Sequence, residues 1–126
     1  MTTRRTAPVY LDLFRISFPV GAVTSFAHRI SGVLLALSLP LLVYLLDLSL
    51  QDAAGFERAL GLLQSTGFRL GSAVLVWSLF HHLFSGVRFL FIDIGTGVGL
   101  RQARASAWLV NIAGGGAALF YLGWVL

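Results

Sequence analysis

Two adjacent histidines, His81 and His82, lie inside a long apolar stretch that runs from residue 77 to residue 93. In a helix, His82 shares one face with the residues three, four, seven and eleven positions further on, which are Ser85, Gly86, Phe89 and Asp93. Ionisable groups at membrane depth cost about 2.5–3.5 kcal/mol on insertion scales, and they mark functional sites by default. An imidazole followed one turn later by glycine therefore predicts a ligand to a flat cofactor, because the glycine leaves room for the cofactor edge.

The cofactor best suited to His82 is haem, since a neutral imidazole is a common axial ligand of haem iron. The alternative is a histidine that hydrogen-bonds across helices, as is common in membrane bundles. His81 competes for the ligand role, but in a helix it points about 100° away, toward another surface or lipid. It also lacks the small residues one turn further on. For Arg88 and Asp93, pairing with each other or with lipid headgroups remains open.

A second polar group occurs near the start of the first apolar run, in SFAHRISG at residues 25–32. In a helix, the hydroxyl of Ser25, the imidazole of His28 and the guanidinium of Arg29 occupy adjoining positions. Such a group could hydrogen-bond a carbonyl and neutralise carboxylates. The alternative is that Arg29 anchors the helix at the membrane border while Ser25 hydrogen-bonds to its own helix.

The composition is that of a membrane protein. Of the 126 residues, 57% are hydrophobic and 11% are charged, whereas about a quarter of a soluble domain is charged. The absence of cysteine excludes disulfides, iron–sulfur clusters and thiolate metal sites supplied by this chain. The formal charge of +4 comes from arginines at the borders of apolar runs, so nucleic acid is not an expected partner.

Three apolar runs predict an all-α membrane bundle that forms a single domain over residues 1–126. Transmembrane helices are predicted at about residues 20–46, 70–92 and 107–126, because about 20 residues cross the hydrocarbon core. Residues 1–20 are predicted to be an amphipathic segment at the membrane interface. The loop sequence GFERALGLL predicts a short surface helix.

The arginines predict the orientation of the bundle. Seven of them border the amino-terminal side of the first run or the carboxyl-terminal side of the second: Arg4, Arg5, Arg15, Arg29, Arg88, Arg101 and Arg104. The intervening loop is net acidic and contains two arginines, Arg58 and Arg69. The positive-inside rule therefore places the amino terminus in the cytoplasm and the carboxyl terminus outside.

No residues are arranged for nucleophilic or acid–base catalysis, so any chemistry is expected to come from a bound cofactor. The rival interpretation is a non-redox membrane scaffold, an assembly subunit or a transporter fragment. In that case the polar stripes would bind a partner helix and no haem would be present.

Three stretches in this order resemble the cytochrome b membrane-anchor subunit of succinate dehydrogenase (respiratory complex II), in its proteobacterial form. They are PVYLDL followed by ISFP, then SFAHRISG, then His82-x-x-x-Gly86-x-Arg88 with Asp93. The loop sequence GFERALGLL also fits, and the resemblance covers nearly the whole chain.

The resemblance implies that His82 is an axial ligand of haem b, with the other axial histidine supplied by a companion anchor subunit. His28 and Arg29 would approach the haem propionates. Ser25 and Arg29 would line a quinone site, with ubiquinone as the expected quinone.

The chain departs from the family pattern at Phe89, where relatives often carry a histidine near a propionate. The propionate charge would then be met by His28 and Arg29, with Arg88 and Asp93 in supporting positions.

The resemblance also implies partners and a location. An iron–sulfur subunit and a flavoprotein subunit would dock on the cytoplasmic face of a bacterial inner membrane. Succinate would be oxidised on the flavoprotein, and this subunit would pass electrons to quinone. Quinol:fumarate reduction in the reverse direction, menaquinone as the quinone, and a haem off the electron path all stay open.

Overall fold

Residues 16–126, the part of the chain that a computed structural model describes, fold into four helices. They are α1 (Val20–Gln51), α2 (Ala53–Gln64), α3 (Thr66–Asp93) and α4 (Leu100–Val125). The helix α3 packs against both α1 and α4, α1 also contacts α4, and α2 folds back against α1. The predicted interfacial segment, residues 1–20, falls almost entirely outside the described residues.

Three of the helices, α1, α3 and α4, are long and apolar enough to cross a membrane. The prediction of an all-α bundle with three candidate spans is therefore confirmed, and α2 is the short helix predicted from GFERALGLL. The helices are longer than the predicted apolar runs; α4, for example, begins at Leu100 rather than near residue 107. Hydropathy marks the part of a helix suited to lipid, whereas helical hydrogen bonding continues through the polar residues beside it.

Local signals account for the helix ends. The side chain of Asp52 accepts a hydrogen bond from the Gly55 N–H and so caps the start of α2. At the end of α3, Gly95 has φ +78°, and the N–H groups of Gly95 and Thr96 donate to the carbonyls of Ile92 and Phe91. These are the two bonds of a Schellman motif, in which glycine takes the left-handed position.

The interior of the described bundle is small and polar, and the exterior is large and apolar. Five polar side chains among the described residues have less than 2% exposure, namely His81, Thr24, Ser31, Ser78 and Ser85, and Ala107 is fully buried as well. By contrast, Leu37, Leu109 and Phe120 are 70%, 69% and 78% exposed. Small and hydroxyl-bearing residues let helices approach closely in a membrane, where burying leucine against another helix brings little gain over lipid.

Candidate functional site

His82, on α3, places its imidazole against α1, where it stacks on the ring of His28. The two ring centroids are 4.0 Å apart and the rings are 9° from parallel. Glycine permits this contact, because a Cβ atom at Gly32 would lie 2.9 Å from Cε1 of His82. On the other helix, a Cβ at Gly86 would lie 3.8 Å from Nε2 of His28. Gly86, predicted to leave room for a cofactor edge, thus faces the His28 ring.

One nitrogen of His82 is held by two hydrogen-bond acceptors on α1. Its Nδ1 lies 3.1 Å from the His28 carbonyl oxygen and 3.2 Å from Oγ of Ser31. Ser31 donates its own proton to the same carbonyl at 2.8 Å, so its lone pairs remain to face Nδ1. The partners therefore assign the proton of a neutral His82 to Nδ1 and the lone pair to Nε2. Within residues 16–126, no hydrogen bond reaches Nε2.

The neighbouring His81 faces α4. It is 1% exposed, and a Cβ on Gly114 of α4 would lie 3.1 Å from its own Cβ. Its ring stacks on Trp77 at 5.2 Å, and its Nε2 lies 3.3 Å from Oγ of Ser85. The prediction that His81 has no small residue one turn on was wrong, and so was the assignment of Ser85 to the His82 face. The expectation that His81 points toward another protein surface is confirmed, and the alternative that it points toward lipid is wrong.

The guanidinium of Arg88 joins α3 to α4. It is nine-tenths buried; Nε donates to Oγ of Ser106 at 2.9 Å, and a terminal nitrogen donates to the Ala103 carbonyl at 3.1 Å. Asp93 ends α3 as an exposed side chain. Pairing between Arg88 and Asp93, which the sequence left open, is therefore not the arrangement in the structure.

Phe89 fills the space between Arg88 and the stacked histidines. Its ring meets His28 edge-on at a centroid distance of 5.3 Å. The guanidinium carbon of Arg88 lies 5.4 Å from the centroid of the same ring, within the range of a cation–π contact. At the position where the chain departs from the family pattern, an apolar ring thus packs against His28.

Ser25 and Arg29 lie one helical turn apart on α1, half-buried and exposed respectively. The hydroxyls of Ser31 and Ser38 donate to carbonyls three residues earlier in the same helix. Ser25 makes no such bond within residues 16–126, so the alternative in which it hydrogen-bonds to its own helix is not what the structure shows there. No hydrogen bond joins Ser25 or Arg29 to the histidine pair in this part of the chain.

Sequence reasoning assigned no role to two hydroxyls that the structure places at the site. Ser31 contacts Nδ1 of His82, and Ser106 accepts from Arg88. The contact of Ser31 could partly be predicted from sequence, since Ser31 follows His28 by three residues and can hydrogen-bond to its carbonyl. The contact of Ser106 could not, because it depends on how the loop after α3 brings α4 back against α3.

Within residues 16–126, no group of three or more histidine, cysteine or acidic side chains could hold a metal ion. A haem requires only axial ligands from the protein, and a single well-oriented imidazole meets that requirement for one side.

Comparisons with known proteins agree with the topology. Residues 3–122 match the family described as succinate dehydrogenase/fumarate reductase transmembrane subunit. The chain is 37% identical over 106 residues to the succinate dehydrogenase cytochrome b556 subunit of Coxiella burnetii, covering 83% of this chain and 85% of that protein. The subunit of the same name from Paracoccus denitrificans is 32% identical over 101 residues, covering 78% and 74%. That of Rickettsia conorii is 29% identical over 122 residues, covering 97% and 91%.

Proposed function

The chain belongs to the succinate dehydrogenase/fumarate reductase transmembrane subunit family, and on that premise we propose that it binds haem b through His82 and contributes to a quinone-reduction site. In this role it anchors a respiratory complex in the membrane and helps to pass electrons from an iron–sulfur subunit to quinone. The cytochrome names of the bacterial relatives support a haem, and their sources support a bacterial inner membrane.

The observation that carries the proposal is the pair of acceptors at Nδ1 of His82. Histidines that bind metals nearly always donate their other ring N–H to a carbonyl or a similar acceptor, which fixes the tautomer and the ring orientation. The His28 carbonyl and Ser31 provide this support at 3.1 and 3.2 Å. His81 has no comparable arrangement, because it is buried against α4 and its Nε2 contacts Ser85.

The second axial ligand is assigned to the companion anchor subunit. The rings of His28 and His82 are stacked face to face, so these two imidazoles would not hold one haem between them. His28 therefore cannot serve opposite His82 in this arrangement. When bound, the haem supplies one-electron redox chemistry at a potential set by its axial ligands and their hydrogen bonds.

For the propionates, His28 and Arg29 are the groups that this chain offers. Arg29 is exposed and carries its charge one position from His28 on α1. Arg88 is engaged with Ser106 and Ala103 of α4, so we do not place it beside the propionates.

For the quinone, Ser25 would donate a hydrogen bond to a carbonyl oxygen and Arg29 would supply positive potential beside it. A fixed donor and a cation aimed at an oxygen that gains negative charge favour electron transfer to it. The Ser25 hydroxyl has no hydrogen-bond partner among the described residues, which supports this assignment. The companion and iron–sulfur subunits would complete the site, with ubiquinone as the expected quinone.

The test of the function is a low-temperature reduced-minus-oxidised absorption spectrum of the purified native complex. We expect a b-type band, and we expect a haem content of one haem per complex. A complex without a b-type band would rule out the haem proposal and favour the rival scaffold role, with the quinone site then resting on Ser25 and Arg29 alone.

Replacing Ser31 with alanine should shift the haem reduction potential to more positive values while haem content is kept. The hydroxyl accepts from Nδ1–H and so raises the basicity of the ligand, which favours ferric iron. Ser38→Ala is the matched control, because Ser38 is also largely buried and makes the same bond to its own helix without touching a histidine. Redox titration of both variants measures the effect; equal potentials would show that Ser31 does not support His82.

A further inference from the structure

A cavity of about 620 Å³ lies between α3, the loop at residues 94–99 and α4, on a different side of α3 from His82. Its lining changes character along the helices. The end beside the loop contains all of the polar lining residues, which are Arg88, Thr96, Gln102 and Ser106, together with the apolar Phe91 and Ile92. The deeper part is entirely apolar and includes Phe84, Leu109 and Ala113. We call this cavity the Arg88 groove. A lining that is polar at the membrane border and apolar at depth matches an amphiphile lying along the helices.

The polar end of the Arg88 groove is electropositive. Arg88 is 9% exposed, and its two hydrogen-bond partners among residues 16–126, the Ser106 hydroxyl and the Ala103 carbonyl, are neutral. Those two bonds use two of the five N–H donors of the guanidinium. A buried cation whose partners are neutral is costly unless an anion approaches it.

The start of α4 adds to the positive potential at the same place. The helix begins at Leu100 after Gly99, without a side-chain cap and without an acidic residue in its first turn. Its first N–H groups and its dipole therefore favour a negative charge. Arg101 and Arg104, which are exposed on this part of α4, add further positive potential.

We propose that the Arg88 groove binds an anionic phospholipid of the cytoplasmic leaflet, with its phosphate at Arg88 and an acyl chain along the apolar part. The positive end favours an anionic head group, and the apolar depth argues against free phosphate as the intended ligand. The choice of leaflet rests on the orientation predicted from the arginines. The site is separate from His82, which faces α1, so it does not depend on the haem proposal.

The test is native mass spectrometry of the purified, delipidated complex with phosphatidylglycerol or phosphatidylcholine of the same acyl chains. One basic residue near an anionic membrane surface contributes about 1 kcal/mol, which corresponds to about a fivefold preference for the anionic lipid. We expect at least that preference in the native complex. Equal binding of the two lipids would overturn the proposal.

Two variants should lose the preference in different ways. Arg88→Gln removes the charge, and Ala113→Phe fills the apolar part of the groove without touching the arginine. The matched control is Ala118→Phe, which lies on the same helix but lines a separate apolar cavity with Leu70 and Trp77. The control should keep the preference.

Two further measurements distinguish a lipid site from a simple anion site and from damage to the bundle. If inorganic phosphate displaced phosphatidylglycerol and Ala113→Phe bound the lipid normally, the site would be an anion site only, and the lipid proposal would be wrong. The subunit composition of Ala113→Phe in the same mass spectra reports whether the complex is assembled. An assembled Ala113→Phe complex that loses the lipid supports the groove. An Arg88→Gln complex that keeps the preference for phosphatidylglycerol would show that the charge is not needed and would overturn the proposal.

Discussion

His82→Ala is expected to remove the b-type absorption band of the complex, or to convert the remaining haem to a high-spin form. The variant deletes the imidazole whose Nδ1 is held by Ser31 and the His28 carbonyl. A haem that lost the His82 ligand would change its spin state, so the absorption spectrum and the electron paramagnetic resonance signal should both change. The measurement is the reduced-minus-oxidised spectrum together with haem content per complex.

The control for this prediction is His81→Gln, which keeps a hydrogen-bonding side chain of similar size beside Ser85 and Gly114. Truncation to alanine at this buried position would leave a cavity and confuse loss of packing with loss of a ligand. We expect the band of the control to be unchanged in position and in spin state. A band that survives in His82→Ala and disappears in His81→Gln would move the ligand to His81, and would mean that α3 is rotated relative to the arrangement described.

The architecture could be predicted from sequence because lipid imposes a simple rule on composition. A spanning segment must satisfy its backbone internally and present apolar side chains, so three apolar runs separated by polar loops predict three helices. The Schellman glycine, Gly95, and the capping Asp52 are likewise local signals that need no knowledge of the partner helices. These features each depend on residues close together in the chain, which is why sequence alone carries them.

The faces of α3 were harder to assign, because periodicity gives the angle between two side chains but not the helix that each one meets. His81 and His82 were correctly placed on different faces, yet Ser85 follows both of them at helical spacing and was attributed to His82. The structure pairs it with His81, since that face is the one that packs on Gly114 of α4.

The partners of Arg88 could not be predicted from sequence, for a related reason. Its bonds to Ser106 and Ala103 form only after the loop at residues 94–99 returns the chain to α3. From sequence alone, the nearby Asp93 looked like an equally suitable partner. Such contacts between helices depend on the return angle of a turn that contains two glycines at positive φ, Gly95 and Gly97.

Ser25→Ala and Arg29→Leu are expected to lower succinate:quinone reductase activity while electron transfer to a soluble artificial acceptor persists. The artificial acceptor takes electrons upstream of the quinone, so it reports on the flavoprotein and iron–sulfur subunits and on assembly. Removing a hydrogen bond to a charged group costs about 1.5–3 kcal/mol, which corresponds to roughly 10- to 100-fold for Arg29→Leu. A neutral hydrogen bond contributes about 0.5–1.5 kcal/mol, so Ser25→Ala should lose roughly 2- to 10-fold.

Matched controls exist for both substitutions in the same chain. Ser38→Ala removes a hydroxyl from α1 that bonds only to its own helix within the described residues, and Arg58→Leu removes an exposed arginine on α2. Both should retain quinone reductase activity. Because Ser25 touches neither His82 nor its acceptors through hydrogen bonds in the described part of the chain, the b-type band should also persist in Ser25→Ala. Arg29→Leu also removes a proposed partner of the haem propionates, so its quinone reductase activity is compared per haem. If the two activities fell together, the residues would be needed for assembly rather than for quinone binding, and the quinone site would have to be sought elsewhere on the complex.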